Sequence, residues 1–389
     1  MPSIAPLRAD LLAWYARSHR DLPWRRPSDL RDAYRIWVSE IMLQQTRVET
    51  VIPYYERFLA RFPAVRALAD APLDEVLAHW SGLGYYRRAR MLHAAASTIV
   101  RDHAGRFPRT VDAAEALPGI GRSTAGAIVS ISYGTRAPVL DGNVERVLTR
   151  LFARRGDPKS RELAVELWSL AQQLVDCDSA GDVNQALMEL GATVCLPFAA
   201  ARCSDCPLER HCMARAEGVV ETLPKKTRKA ELKAAKWAVA LVRRGDRFLL
   251  RRRGGDRLMA GLWEFPTIEV EPDADAGREL ARLLRDRFEI AATFGAPLFV
   301  HRQVISNRKV EQPVFAAKLA TRGGDAEIAA KAAAEKLETR WLEPAAITAL
   351  AITMATRKIL ARVVESDAAT AVSPPAAAAR PARRPARAP

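Results

Sequence analysis

A chain of 389 residues, 49% of them hydrophobic, is long enough to build two domains, each with its own core. Its 60 Lys and Arg against 45 Asp and Glu leave a formal charge of +15, which favours a polyanionic partner, nucleic acid or an acidic membrane surface, over a basic one. No apolar run approaches a membrane span and the N-terminus lacks a signal-peptide pattern, so the expectation is a soluble, cytoplasmic chain, neither membrane-bound nor exported.

From Ile4 to about Gly218 apolar residues recur three and four apart, as in DEVLAHW (74–80), ARMLHAAASTIV (89–100) and VERVLTRLF (144–152), which predicts helices. GLGYY (82–86) and LPGIG (117–121) punctuate them. TLPKKTRKAELKAAK (222–236) is polar and strongly basic and reads as an interdomain linker. Beyond it WAVALVRR (237–244), a turn at Gly245-Asp246 and RFLLRRR (247–253) predict a β-hairpin. RELARLLRDRF (278–288) predicts a helix, residues 296–319 two strands and TRWLEP (339–344) another. The fold expected is therefore multi-domain: an all-α region over 1–221, then a mixed α+β domain over 237–365. Residues 366–389, rich in Ala, Pro and Arg, cannot make a core and are expected to be disordered.

Four of the five cysteines, Cys195, Cys203, Cys206 and Cys212, fall within eighteen residues as C-x7-C-x2-C-x5-C. Four soft thiolates so close together form a compact cage suited either to zinc or to an iron–sulfur cluster, and spacing alone does not choose between them. Cys177 lies outside the group and reads as a small buried hydrophobe.

LPGIGRSTAGAI (117–128) reads as a helix end, a turn and a new helix. Gly119 and Gly121 let backbone approach a partner closely, and the free N–H groups of the following helix suit a phosphate. In WVSEIMLQQT, Glu40 lies among large apolar residues, where desolvation favours a neutral carboxyl able to act as an acid. Asp141 precedes the helix NVERVLTRLF; alone it reads first as an N-cap, and the helix dipole there favours its ionised form.

The hairpin LPGIG, the Asp of PVLDGNVERV and the cysteine group after it resemble the helix-hairpin-helix superfamily of DNA glycosylases. WVSEIMLQQT, GLGYYRRAR and GLWEFP narrow the resemblance to the adenine DNA glycosylase (MutY) family, over about 20 to 345. The resemblance implies removal of adenine mispaired with 8-oxoguanine or guanine in double-stranded DNA, by a nucleoid-associated bacterial monomer in base excision repair. It also implies a [4Fe–4S] cluster on the four cysteines, although this chain has seven residues where the family usually has six between the first two. Glu40 matches the family's general acid and water activator, Asp141 the carboxylate that stabilises an oxocarbenium ion, and Asn143 a polar partner in the site. Ser123 stands where bifunctional relatives carry a lysine nucleophile, which implies a monofunctional enzyme. Gln45 and Tyr85 match residues that enter the opened base stack.

The segment 245–266 resembles the Nudix fold, as the family implies for its C-terminal domain. Arg282 and Leu283 replace an expected pair of glutamates, so the domain is expected to recognise damage rather than hydrolyse nucleotides. The family's Phe-Ser-His loop, which reads 8-oxoguanine, aligns with Ile305-Ser306-Asn307, where Ser306 alone keeps its side chain; a simple β-turn accounts for these residues equally well.

Overall fold

The computed structural model describes residues 3–30, 32–157, 160–225, 231–254, 258–320 and 338–372, and divides the chain into two compact units, Met1–Glu231 and Leu232–Pro389.

The first unit is helical. Its helices are α1 (Ile4–Ser18), α2 (Pro27–Leu30), α3 (Ala33–Leu43), α4 (Val48–Arg61), α5 (Val65–Asp70), α6 (Leu73–Trp80) and α7 (Arg87–Asp102), followed by α8 (Val111–Glu115), α9 (Arg122–Tyr133), α10 (Gly142–Leu151), α11 (Arg161–Val175), α12 (Ala180–Thr193) and the short α13 (Met213–Ala216). Side chains at the helix starts take up backbone N–H groups that the helix leaves unpaired. Asp32 caps α3 through Tyr34 N, and Ser160 caps α11 through Leu163 N. The apolar stripes of α1, α10, α11 and α12 meet in one core that includes Leu7, Leu11, Val147, Leu148, Leu167, Leu187 and Leu190. Buried Asn184 of α12 spans the core polar-to-polar: its Nδ2 donates to Ser130 Oγ and Ala137 O, and its Oδ1 accepts from Val139 N. That fixes the segment leading into Asp141.

The second unit is built on β1 (Lys233–Leu241), β2 (Arg243–Arg244), β3 (Arg247–Arg252), β4 (Trp263–Glu264), β5 (Thr267–Val270), α14 (Ala276–Phe288), β6 (Ala292–Phe294), β7 (Phe299–Ile305), β8 (Arg308–Leu319), β9 (Thr339–Leu342), α15 (Pro344–Thr348) and α16 (Met354–Val372). One sheet runs in the order β5-β1-β8-β6, with β7 also on β8, and a second in the order β2-β3-β4, with β9 on β3. β1 and β8 pair in parallel; the other strand pairs are antiparallel. Leu280, Leu284 and Phe288 of α14 cover one side of the first sheet, over Ala238 and Ala240, while Ile359 and Leu360 of α16 pack with Val239, Leu241 and Phe265 on the other.

Three expectations need correction. The basic stretch 222–236 is not linker throughout, because β1 begins at Lys233, where Lys233 and Lys236 pair with Arg308 and Glu311 of β8. The hairpin around Gly245-Asp246 is real but short: β2 pairs with β3, while β1 turns into the other sheet. Finally, α16 carries the chain to Val372, past the expected start of disorder at 366, in a run whose alanines favour helix; residues 373–389 lie outside the described residues.

Candidate active site

Glu40 lies in the last turn of α3. Trp37, Val38, Ser39, Ile41 and Met42 around it are buried, but Glu40 itself is half-buried, with one side open to a cleft of about 540 Å³. That volume is within the ~300–1,000 Å³ typical of small-molecule sites. Burial, and after it the negative charge of Asp141, push the Glu40 carboxyl up to about 7, against a smaller opposing effect of Arg25. The carboxyl is thus desolvated although the residue keeps surface toward the cleft.

Asp141 lines the same cleft and is also the N-cap of α10. Its Oδ1 accepts from Asn143 N at 3.0 Å and Val144 N at 2.8 Å, and its Oδ2 accepts from Asn143 Nδ2 at 3.4 Å. Capping and facing the cleft are therefore compatible roles for one carboxylate. Asn143, Gln45 and Ser123 also line the cleft. Ser123 Oγ accepts from Leu140 N at 3.1 Å, tying the start of α9 to the residue before Asp141. Gln44 Nε2 donates to Thr124 Oγ1 at 3.3 Å, joining the end of α3 to the same helix start.

Three residues of the cleft were not singled out from the sequence. Glu189 of α12, 1% exposed, accepts from Arg20 Nε at 2.8 Å, Arg20 Nη2 at 2.9 Å and Arg25 Nη2 at 2.9 Å. Burial works against its ionisation, but the Arg20 hydrogen bonds and the Arg25 charge prevail and hold the carboxyl at about 2. Its signal was present: like Glu40, it is a lone acid in an apolar helix, NQALMELG. Arg25 completes the clamp. Arg146 of α10 is the third. Its Nη2 donates to Asn143 Oδ1 at 2.9 Å and Gly191 O at 2.8 Å, and its Nε to Cys195 O at 2.8 Å, so one guanidinium orients Asn143 and anchors the start of the cysteine loop. Its spacing from Asn143, three residues along a helix, is the signal.

Tyr85, Gly119 and Gly121 do not line the cleft. Tyr85 is 58% exposed, in the loop between α6 and α7. Gly119 has φ +77°, and a Cβ there would lie 2.4 Å from Met91 Cβ, so its place in the turn admits only glycine. Gly121, the N-cap of α9, has nothing within 4 Å of a Cβ position, so the space outside it is open to a partner.

All four clustered cysteines, each half-buried, line one small cavity together with Arg150, Arg202, Glu209 and Arg215. Burial pushes the Cys206 thiol up to about 12, and negative charge on Cys195, Cys212 and Cys203 adds to the shift, a sign that the four sulfurs share one space. Among the described residues no group of three or more His, Cys, Asp and Glu is placed to hold a metal ion. Four thiols around one cavity are the soft donor set that zinc and iron–sulfur centres both take. Arg150, 2% exposed, donates from Nη1 to Leu196 O at 2.7 Å and to Cys195 Sγ at 3.4 Å, supplying positive charge against thiolates. Cys177 packs against the apolar core.

In the second unit, Ile305, Ser306, Asn307, Arg282 and Leu283 line a cavity of about 910 Å³. Ser306 and Asn307 form the two-residue turn between β7 and β8, with Ser306 exposed at φ +55°, a conformation that such turns usually give to glycine. Glu264, 4% exposed in the same cavity, is held by Arg251 and Arg253.

Residues 38–173 match the model of the HhH-GPD superfamily of base excision DNA repair proteins, and residues 238–362 that of the NUDIX domain. The adenine DNA glycosylase of Homo sapiens is 41% identical over 327 residues, 71% of this chain and 60% of that protein. The adenine DNA glycosylase of Buchnera aphidicola subsp. Acyrthosiphon pisum is 37% identical over 266 residues, 68% of this chain and 75% of that protein. The chain thus spans only about 60% of the length of its mammalian relatives. Among solved structures, that of a thermostable thymine-DNA glycosylase matches with a TM-score of 0.50 and 28% identity over 55% of this chain and 97% of that one.

Proposed function

This chain belongs to the adenine DNA glycosylase family, and from that premise we propose that it is a monofunctional glycosylase of base excision repair, hydrolysing the N-glycosidic bond of adenine opposite 8-oxoguanine or guanine in duplex DNA. The observation that carries the reading is the pair of carboxyl groups facing one cleft, with Glu40 brought to about 7 while Asp141 is tied down by α10.

The chemistry follows from that pair. Cleavage needs a proton on the departing base and a negative charge beside the cationic sugar. Glu40, neutral up to about pH 7, donates the proton to a ring nitrogen of adenine; Asp141, oriented by Asn143 and the start of α10, stands by the oxocarbenium ion. The Glu40 carboxylate then takes a proton from the water that attacks C1′. With a serine at 123 there is no amine to form a Schiff base, so the product is an intact strand with an abasic site.

Gln45 and Tyr85 enter the opened stack, and the helix start behind Gly121 takes a backbone phosphate. Cys195, Cys203, Cys206 and Cys212 would hold a [4Fe–4S] cluster, whose four sulfur–iron bonds would tie the loop 195–212 together. The region 237–365 acts as the lesion-recognition domain, with Ser306 as its contact to 8-oxoguanine. The protein works as a monomer on cytoplasmic, nucleoid DNA.

Duplexes carrying adenine opposite 8-oxoguanine, adenine opposite guanine, or an oxidised pyrimidine test the reading, with products resolved before and after alkali. Adenine release with alkali-dependent strand breaks is expected; strand breaks without alkali, or release of the oxidised pyrimidine alone, overturn it.

A further inference from the structure

Gln45 and Tyr85 share an unusual backbone. Both are exposed non-glycine residues in the left-handed region, with φ of +56° and +49°, and they sit in different loops, one after α3 and the other between α6 and α7. Such conformations persist only where the surroundings over-determine them. A single side chain from α7 reaches both loops.

Arg88 Nη1 is within hydrogen-bonding distance of the carbonyl oxygens of Ile41 (2.9 Å), Met42 (2.8 Å) and Gln44. The first two are carbonyls of the last turn of α3, which the chain leaves at Gln44 (φ −56°, ψ 115°) with no glycine to close it. Nη2 donates to Thr46 Oγ1 at 3.0 Å and to Gly84 O at 3.2 Å, so Arg88 brackets Gln45 on both sides and grips the residue before Tyr85. The guanidinium carbon also lies 5.4 Å from the ring centroids of Tyr85 and Trp80. Trp80 Nε1 donates to Gly84 O at 3.1 Å, bracing the same loop from below. Burial lowers the Arg88 pKa to about 10, so it remains charged at neutral pH although it has no carboxylate partner among these contacts. Carbonyl dipoles and two rings take the place of a counter-ion.

We propose that Arg88 is the positioning residue for strand opening: by capping α3 and gripping both loops, it holds Gln45 and Tyr85 in the strained conformations from which they enter the base stack together. Lysine, a point charge without a planar fork, cannot satisfy both loops at once. The proposal rests on the reading above for the partner, damaged duplex DNA, and for the entry of Gln45 and Tyr85 into its base stack.

Arg88→Met and Arg88→Lys test it in the full-length holoprotein, on a duplex carrying adenine opposite 8-oxoguanine with 2-aminopurine beside the 8-oxoguanine. Anisotropy reads duplex affinity, 2-aminopurine fluorescence reads opening of the stack, and single-turnover kinetics read adenine release. The expected result for Arg88→Met is near wild-type affinity, loss of the fluorescence rise, and a single-turnover rate roughly a hundredfold lower. Arg88→Lys should lie between; if Arg88→Met does not fold, Arg88→Lys carries the test alone, with a partial fluorescence rise expected.

An unchanged fluorescence rise in the variants overturns the proposal whatever happens to the rate. A parallel fall in affinity, opening and melting temperature also overturns it, because that is what a purely structural role produces. A wild-type protein that opens the stack but releases no adenine overturns the excision reading and leaves the role of Arg88 standing; one that never opens the stack overturns both.

Discussion

Asp141 raises the pKa of Glu40: the two carboxyl groups, from helices α3 and α10 of the helical unit, line one cleft, and the charge of the first is, after burial, the second cause that brings the other to about 7. A group that must be neutral to donate its proton then loses activity as pH rises through its pKa. Adenine excision under single-turnover conditions is expected to fall above about pH 7. In Asp141→Asn the whole rate drops and the remaining inflection moves to lower pH, since one raising influence is gone. A wild-type pH–rate profile with no inflection within about one unit of neutrality removes Glu40 as the acid.

Glu40→Gln separates catalysis from stability. Excision should fall by roughly 10²–10⁴-fold, the span of a general acid's contribution, while duplex affinity is retained. The folded-state pKa lies above the ordinary 4.5, so the native state binds the proton more tightly than the unfolded chain. The contribution of Glu40 to stability is therefore fully present below 4.5 and lost as pH rises through 4.5 to about 7. Above that range the neutral amide avoids a penalty of up to roughly 3 kcal/mol. The variant should melt higher than wild type at pH 8 and not at pH 4; equal melting curves at both would show that the carboxyl is well solvated.

Glu189 has the opposite sign. Its folded pKa, about 2, is below the ordinary 4.5, so its contribution is present above 4.5 and lost as pH falls toward 2. Glu189→Gln leaves Arg20 and Arg25 without their buried counter-charge and should cost roughly 3–5 kcal/mol at neutral pH. Thermal unfolding of wild type and variant should converge as the solution is acidified from about pH 5. A constant gap across that range would locate the loss in packing rather than charge.

Ser306→Ala tests the turn between β7 and β8. If its hydroxyl contacts the lesion, the preference for adenine opposite 8-oxoguanine over adenine opposite guanine should shrink by about fivefold, the size of one hydrogen bond of ~1 kcal/mol. Competition between the two duplexes measures it, and an unchanged ratio assigns Ser306 to the turn alone.

What could be read from the sequence was what is local. Glu40 and Asp141 were visible because an acid in an apolar helix and an acid at a helix start each advertise an environment, and the four cysteines because eighteen residues suffice to hold them. The helices of the first unit followed from their periodicity for the same reason. Arg88 and Arg25 could not be assigned, because what they do depends on carbonyls and carboxylates brought from elsewhere: Arg88 meets Met42, and Arg25 meets Glu189. Arginines are also the commonest surface charges in this basic chain, so composition conceals the few that work inside. Strand pairing was equally hidden. That β1 would join β8 in parallel, and not stay with β3, is decided by two segments about seventy residues apart whose faces both need covering.

The clamp on Glu189 also has a consequence for how the protein is made. Arg20 and Arg25 meet Glu189 across 169 and 164 residues. During synthesis the N-terminal segment must therefore wait, with its two guanidinium groups hydrated, until α12 has left the ribosome, and at ~5–20 residues per second this interval lasts on the order of ten seconds. The cleft closes only when the first and last parts of the helical unit meet. A nascent or prematurely terminated chain ending before α12 can form several of its helices yet has no completed wall around Glu40.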